Sequence, residues 1–173
     1  ECAVFLRVRK PAPREEIYRE SIRRALAAAE DPGDGQTPRG LAALDAYLAD
    51  VKDPHKSFEN ISDWFCWATF ERLTARKQAA GWLRGRVADA VGDEAKPHVL
   101  AAADLYDKAF EAYHAYDMEV HRKDLGELSW HEKFRTPARI AALTEPLEAG
   151  MKAEKAAVEH LRKAVAALDD EMK

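Results

Sequence analysis

Thr136 to Lys173 reads TPARIAALTEPLEAGMKAEKAAVEHLRKAVAALDDEMK. Ile140, Leu143, Leu147, Met151, Val158, Leu161, Val165, Leu168 and Met172 recur in it at steps of three and four, with Glu154 standing at one step of the series. Such a spacing lines one face of a long helix. Thr136 is placed to cap its start and Pro137 to fill its first turn, where a missing N–H costs nothing. Pro146 and Gly150 fall early and are expected to bend it. A single face this long needs partner helices to bury it, so the stretch points to a bundle.

The same spacing returns upstream. Val99, Ala103, Tyr106, Phe110, Tyr113, Asp117 and Val120 step by four and three in strict alternation, a heptad seam for a helix that begins between Glu94 and Pro97. Before it, Ile61, Trp64, Phe65, Ala68, Ala75, Ala79, Trp82, Leu83, Val87 and Val91 mark a third long helix, capped by Ser57 or Asn60 and stopped at Gly92. Gly81 and Gly85 within it are expected to let a neighbouring helix come close. A shorter helix follows Thr37-Pro38 with Leu41, Leu44, Leu48 and Val51. A first helix follows Pro13 with Ile17, Ser21, Ile22, Ala25, Leu26 and Ala29 on one face. The cluster EDPGDGQTPRG separates these two. The connector RKDLGELSWHEKFR, with Trp130, His131 and Phe134, reads as an aromatic loop over a core edge. The fold expected is mainly α, a five-helix bundle with three long antiparallel helices over residues 13–173.

Residues 1–12 break the pattern. ECAVFLRVRKPAP carries the apolar run Ala3-Val4-Phe5-Leu6 and then Arg7-Val8-Arg9-Lys10, which reads as one N-terminal β-strand. A lone strand heading a helical chain is expected to be the end of an α/β domain lying upstream of Glu1.

Composition narrows the function classes. Lys and Arg total 27 against 31 Asp and Glu, a net charge of −4, which removes support for nucleic-acid binding. No apolar run reaches the roughly 18 residues of a membrane span. Cys2 and Cys66 have the spacing of neither a zinc site nor a disulfide framework, which fits a cytoplasmic setting. The sequence holds no Gly-rich phosphate loop, no Gly-x-Ser-x-Gly, no His-Glu-x-x-His and no Cys-x-x-Cys. No catalytic residue, cofactor or metal is expected, and a ferritin-like di-metal site, which takes Glu-x-x-His on two helices, is not expected either.

Two acids stand where the seams call for apolar side chains, Asp117 and Glu154. A buried carboxylate needs a partner or a proton. Arg72 and Arg76 project from the third helix, and His114 and His121 flank Asp117 by one turn each. Arg72, Arg76, His114, Asp117 and Glu154 are therefore the candidate ligand-binding residues. Three readings stand side by side: a polar network that fixes helix register, a ligand or metal pocket in the core, and a drifting stripe with solvated acids. The aromatic group Trp64, Phe65, Trp67 and Phe70 reads either as a helix packed on two sides or as a docking surface.

The order of GLAALDAYLADV, ARKQAAGWLRGRV, HVLAAADLYDKAFEAY and RTPARIAALTEPLEAGMKAEKAAVEHLRKAV resembles the helical C-terminal region of butirosin-biosynthesis-protein-H-like and related papain-like, cysteine-peptidase-like bacterial proteins. The resemblance spans roughly Gly40 to Val165. It implies that CAVFLRVRK is the last strand of a papain-like sheet whose Cys and His lie upstream. It implies a helical accessory domain that is not a catalyst by itself. Its partner is then the upstream papain-like domain, a second subunit or a homo-oligomer. The competing reading is a stand-alone bundle whose polar core pocket binds a small ligand or metal.

Overall fold

The computed structural model describes residues 12–34, 36–56 and 73–170, with the side chain of Trp130 left aside. The expected strand lies outside the described residues except for Ala12, which is not in a strand. Cys2, Cys66 and the aromatic group from Trp64 to Phe70 also lie outside them. The described chain is helical: α1 (Arg14–Glu30), α2 (Gly40–Lys52), α3 (73–82, continued by a π-turn at Leu83–Val87), α4 (Lys96–Val120), α5 (Trp130–Phe134) and α6 (Pro137–Asp170). No strand occurs among these residues, only an isolated bridge between Gly33 and Pro38. Nor is any of these helices long and apolar enough to cross a membrane.

Cross-helix contacts give the directions. On α6 and α4, His160 faces His98, Glu154 faces Tyr113 and Arg139 faces Glu119, so one index falls as the other rises. The two helices form an antiparallel hairpin. On α1, Arg23 pairs with Asp169 and Glu30 with Arg162; on α2, Asp45 pairs with Lys155 and Lys52 with Glu148. Thus α1 and α2 run end to end in one direction along α6, α1 over its C-terminal half and α2 over its N-terminal half. Helix α3 runs against α4, with Lys77 opposite Asp107 and Arg84 opposite Asp104. The result is an up-down-up-down bundle whose first column is the broken pair α1–α2. Tyr18 meets Trp82 edge-on at 5.8 Å, joining α1 to α3, and Tyr47 meets Tyr116 at 6.4 Å, joining α2 to α4.

The break between α1 and α2 explains one departure from expectation. Thr37-Pro38 does not cap α2. The helix starts at Gly40 with Arg39 at the cap position and no side-chain cap bond. Asp34 Oδ1 instead accepts from the N–H groups of Gln36 and Thr37, and Asp31 Oδ1 from that of Gly33, closing a tight turn. Gly40 has φ +53°, and a Cβ there would lie 2.7 Å from the Ala28 carbonyl oxygen. Only glycine lets α2 start so close under the end of α1. The identical dipeptide at Thr136-Pro137 does start its helix: Arg139 N–H donates to Thr136 Oγ1 at 3.3 Å.

Two further corrections concern α3 and the connector. Gly81 and Gly85 face solvent, with nothing within 4 Å of an added Cβ, so no helix approaches there. Ala75 is exposed, while Leu73, Ala80, Leu83 and Val87 are buried. The backbone bond from Ala88 N–H to the Leu83 carbonyl spans five residues, and this π-turn resets which side chains face inward. The connector is not a loop throughout. Ser129 and Glu132 form a capping box that starts α5, which brings the α-helices of the described residues to six where five were expected. Phe134 from α5 does pack on the core edge.

Two apolar clusters fill the bundle. The first holds Ile22, Leu26, Leu83, Val87, Val99, Val158 and Leu161. The second holds Leu44, Val51, Leu73, Tyr116, Leu143, Leu147 and Met151. Along α6 the clusters meet between Met151 and Ala157, along α3 between Leu73 and Ala80, and along α4 between Tyr106 and Ala109.

Candidate polar core site

Glu154 occupies that junction. Its residue is 4% exposed. Arg76 NH2 donates to Oε1, and the Tyr113 hydroxyl donates to Oε2 at 2.8 Å. Three helices thereby converge on one carboxylate: α3 through Arg76, α4 through Tyr113 and α6 through Glu154. The guanidinium of Arg76 also lies 5.5 Å over the Tyr106 ring. Burial works against the Arg76 charge, but the hydrogen bond and charge of Glu154 outweigh it and raise the Arg76 pKa. Burial pushes the Tyr106 phenol up, with Arg76 pulling the other way. Each carboxylate oxygen thus has a donor, which is what a buried ion pair requires if the desolvation cost is to be met.

Gly150 makes this arrangement fit. It lies one turn before Glu154 on α6 and is buried against Tyr113. A Cβ on Gly150 would stand 2.5 Å from Tyr113 Cε1, far inside van der Waals contact. The close helix approach expected at Gly81 and Gly85 is found here instead. It lets the Tyr113 ring lie flat enough on α6 for its hydroxyl to reach Glu154.

The five sequence candidates do not share one site. Arg76 and Glu154 are bonded in the core. Arg72 lies outside the described residues. His114 is exposed on α4 and stacks on Phe110 at 6.1 Å. Asp117 is not on the buried seam. Tyr116 takes that position at 1% exposure, while the Asp117 side chain is 28% exposed and sits 3.3 Å from His121 Nδ1. The neighbour wins because Tyr116 can bury its ring and still bond the Tyr47 hydroxyl of α2 at 2.8 Å. One Glu-x-x-His does occur, Glu111 to His114, where a ferritin-like di-metal site takes two, and both residues face solvent. Among the described residues, no group of three or more His, Cys, Asp or Glu is placed to hold a metal ion.

Two buried arginines escaped the sequence reading. Arg135, 5% exposed, directs NH1 at the carbonyls of Val51 at 3.2 Å and Asp53 at 2.7 Å, at the end of α2. Burial holds its pKa down against the pull of Asp53 and Asp50. Arg139, 8% exposed, bonds Glu119 Oε2 at 2.7 Å and the Glu119 carbonyl at 2.6 Å near the end of α4, and the Lys133 carbonyl at 2.9 Å in α5. The Arg139 hydrogen bond holds the Glu119 carboxyl below its ordinary value, with burial opposing. The signal available in the sequence was position: both arginines flank the start of α6, where the C-terminal ends of antiparallel partners with orphan carbonyls must lie.

No protein family, curated protein or solved structure matches the chain.

Proposed function

We propose that this chain is a helical accessory and interaction domain, not catalytic by itself. The observation that carries the reading is that the Glu154 carboxylate is held by the chain itself, although the buried Nε of Arg76 beside it has no hydrogen-bond partner among the described residues. Both oxygens of Glu154 are taken by groups of the chain itself, Arg76 and Tyr113. The charged groups of the interior hold helices to one another: Glu154 joins three of them, Arg135 secures the end of α2, and Arg139 ties α4 to α5 and α6. This is the chemistry of a scaffold. An outward groove between α4 and α6, with Ala112, Ala115, Ala142, Pro146 and Ala149 along it and the acids Glu119 and Glu145 beside them, offers a surface of small side chains for a partner. On the papain-like resemblance that partner is an upstream α/β domain of the same polypeptide.

The alternative, a core pocket for a small ligand or metal, has less support. His114 and Asp117 stand away from Glu154, and each oxygen of the buried carboxylate already accepts from a group of the chain itself.

The test is the natural reading frame upstream of Glu1. A strand-rich segment holding a Cys and a His supports the accessory reading. The reading then expects Ala115→Arg or Ala142→Arg to weaken association of that segment, made separately, with this chain. An upstream segment without that pair, or none, overturns the papain-like part. Retained saturable binding of a small molecule by wild type, lost in Glu154→Gln, overturns the scaffold reading in favour of the pocket.

A further inference from the structure

His98 near the start of α4 and His160 in the second half of α6 face each other across the central hairpin, 62 residues apart in sequence. Their Nδ1 atoms are 3.3 Å apart, and the rings are tilted by 46° with centroids 5.5 Å apart. Both side chains are partly buried, so the pair is held by the helices beneath it yet open to solvent on one side. Leu161 and Val99, adjacent to them in sequence, are core residues and fix the two backbones.

That separation admits two occupants. One is a proton shared between the rings, although 3.3 Å is long for such a bond. The other is a metal ion. Two imidazole nitrogens about 2.0–2.1 Å from a tetrahedral zinc ion lie about 3.3–3.4 Å from each other. The pair therefore already stands at a chelating bite, without any movement of α4 or α6. We propose that His98 and His160 form a two-histidine site for a late first-row divalent metal ion such as Zn2+ or Ni2+, with water completing the coordination.

Chemistry agrees with the placement. Imidazole selects zinc, nickel and copper over magnesium and calcium. A ligand imidazole must be neutral. Burial, with His98 and Lys163 adding to it and Glu159 opposing, holds His160 toward the neutral form. Glu159 is not a third ligand in this arrangement, because its carboxylate is engaged by Arg162. Each ring would present its Nδ1 lone pair inward and its Nε2–H to water. The ion would clamp α4 to α6 across the first apolar cluster, at the end of the bundle opposite Arg139.

Isothermal titration of untagged protein with ZnCl2 and NiCl2 at pH 7.5 tests this. The expected result is one saturable equivalent in wild type, lost in His98→Gln and in His160→Gln, with no comparable binding of MgCl2. An isotherm unchanged by either substitution overturns the proposal, as does the absence of saturable binding in wild type. Wild type alone supplies a second readout should a variant lose its fold. Sub-stoichiometric Ni2+ is expected to broaden the imidazole proton resonances of His98 and His160 before those of the other four of the six histidines. Earlier broadening of any other histidine overturns the site.

Discussion

Tyr113 and Glu154 meet across the α4–α6 hairpin, where the tyrosine hydroxyl donates at 2.8 Å to a carboxylate whose other oxygen belongs to Arg76. The bond lies between two apolar clusters, so loss of either donor leaves charge in a dry place. Arg76→Met is expected to cost about 3–5 kcal/mol, the range for breaking a buried pair on one side. Tyr113→Phe removes one bond to a charged acceptor and is expected to cost about 2 kcal/mol. The double change Arg76→Met with Glu154→Met removes both charges and is expected to recover most of the Arg76→Met loss. Urea denaturation of the three variants checks this. A double variant as unstable as Arg76→Met would mean that shape, not charge, sets the cost.

Gly150 and Gly81 should respond to alanine with opposite signs. Each helix gains about 1 kcal/mol of propensity from the change. At Gly81 the new methyl meets open space, so Gly81→Ala is expected to stabilise by about 0.5–1 kcal/mol. At Gly150 it meets the Tyr113 ring, which the Glu154 bond keeps from swinging away. Overpacking costs about 1–3 kcal/mol, so Gly150→Ala is expected to be a net loss. Thermal melts of the two single variants decide it, and a stabilised Gly150→Ala would show that the ring can yield.

The register of α6 was legible because one unbroken stripe dominates it. Leu143, Leu147, Met151, Val158, Leu161 and Leu168 are all buried as their spacing requires, and Glu154 sits among them. The α4 seam was less decisive. Tyr116 and Asp117 are neighbours on the helix surface, and both border the seam. Which one turns inward depends on where α2 packs, and no property of α4 alone contains that. The partners of the arginines at 135 and 139 were hidden for the same reason: beyond their place at the start of α6, nothing in the local sequence names acceptors at the ends of α2 and α4 and in α5. The π-turn at Leu83–Val87 carries no residue pattern that marks it; Leu83 and Val87 are buried as their spacing requires, while Ala75 is exposed and Ala80, outside the expected stripe, is buried.

Arg135 should act as the cap of a distant helix. Its NH1 serves carbonyls at the end of α2, so Arg135→Met keeps the apolar stem but strips the donors from Val51 and Asp53. About 2 kcal/mol of stability is expected to go, within the range for buried groups left unsatisfied. The more specific expectation is local. Amide exchange should quicken at the C-terminal turn of α2, near Asp50 to Asp53, and not in α1. Uniform acceleration across both helices would show that Arg135 supports the whole core and not that one end.

Stability should fall as the metal-free protein is acidified from neutral, and His160 is the source expected first. The folded pKa of His160 lies below its ordinary 6.5, chiefly through burial and then through His98 and Lys163. The unfolded chain therefore binds more protons than the folded chain in the interval between the two values. Stability from this group is complete above the unfolded value and is lost as pH falls through the interval toward the folded one. Below about pH 4.5 a second loss is expected from Glu119, whose carboxyl is held down by Arg139 and whose protonation breaks that contact. The two limbs separate by substitution. His160→Gln should flatten the limb just below neutrality and leave the acid limb, and Glu119→Gln should do the reverse. Denaturation midpoints measured every half unit from pH 8 to pH 3 give both limbs. A wild-type midpoint that does not move between pH 7.5 and pH 5.5 would mean that protonated His160 finds a counter-charge in the folded chain.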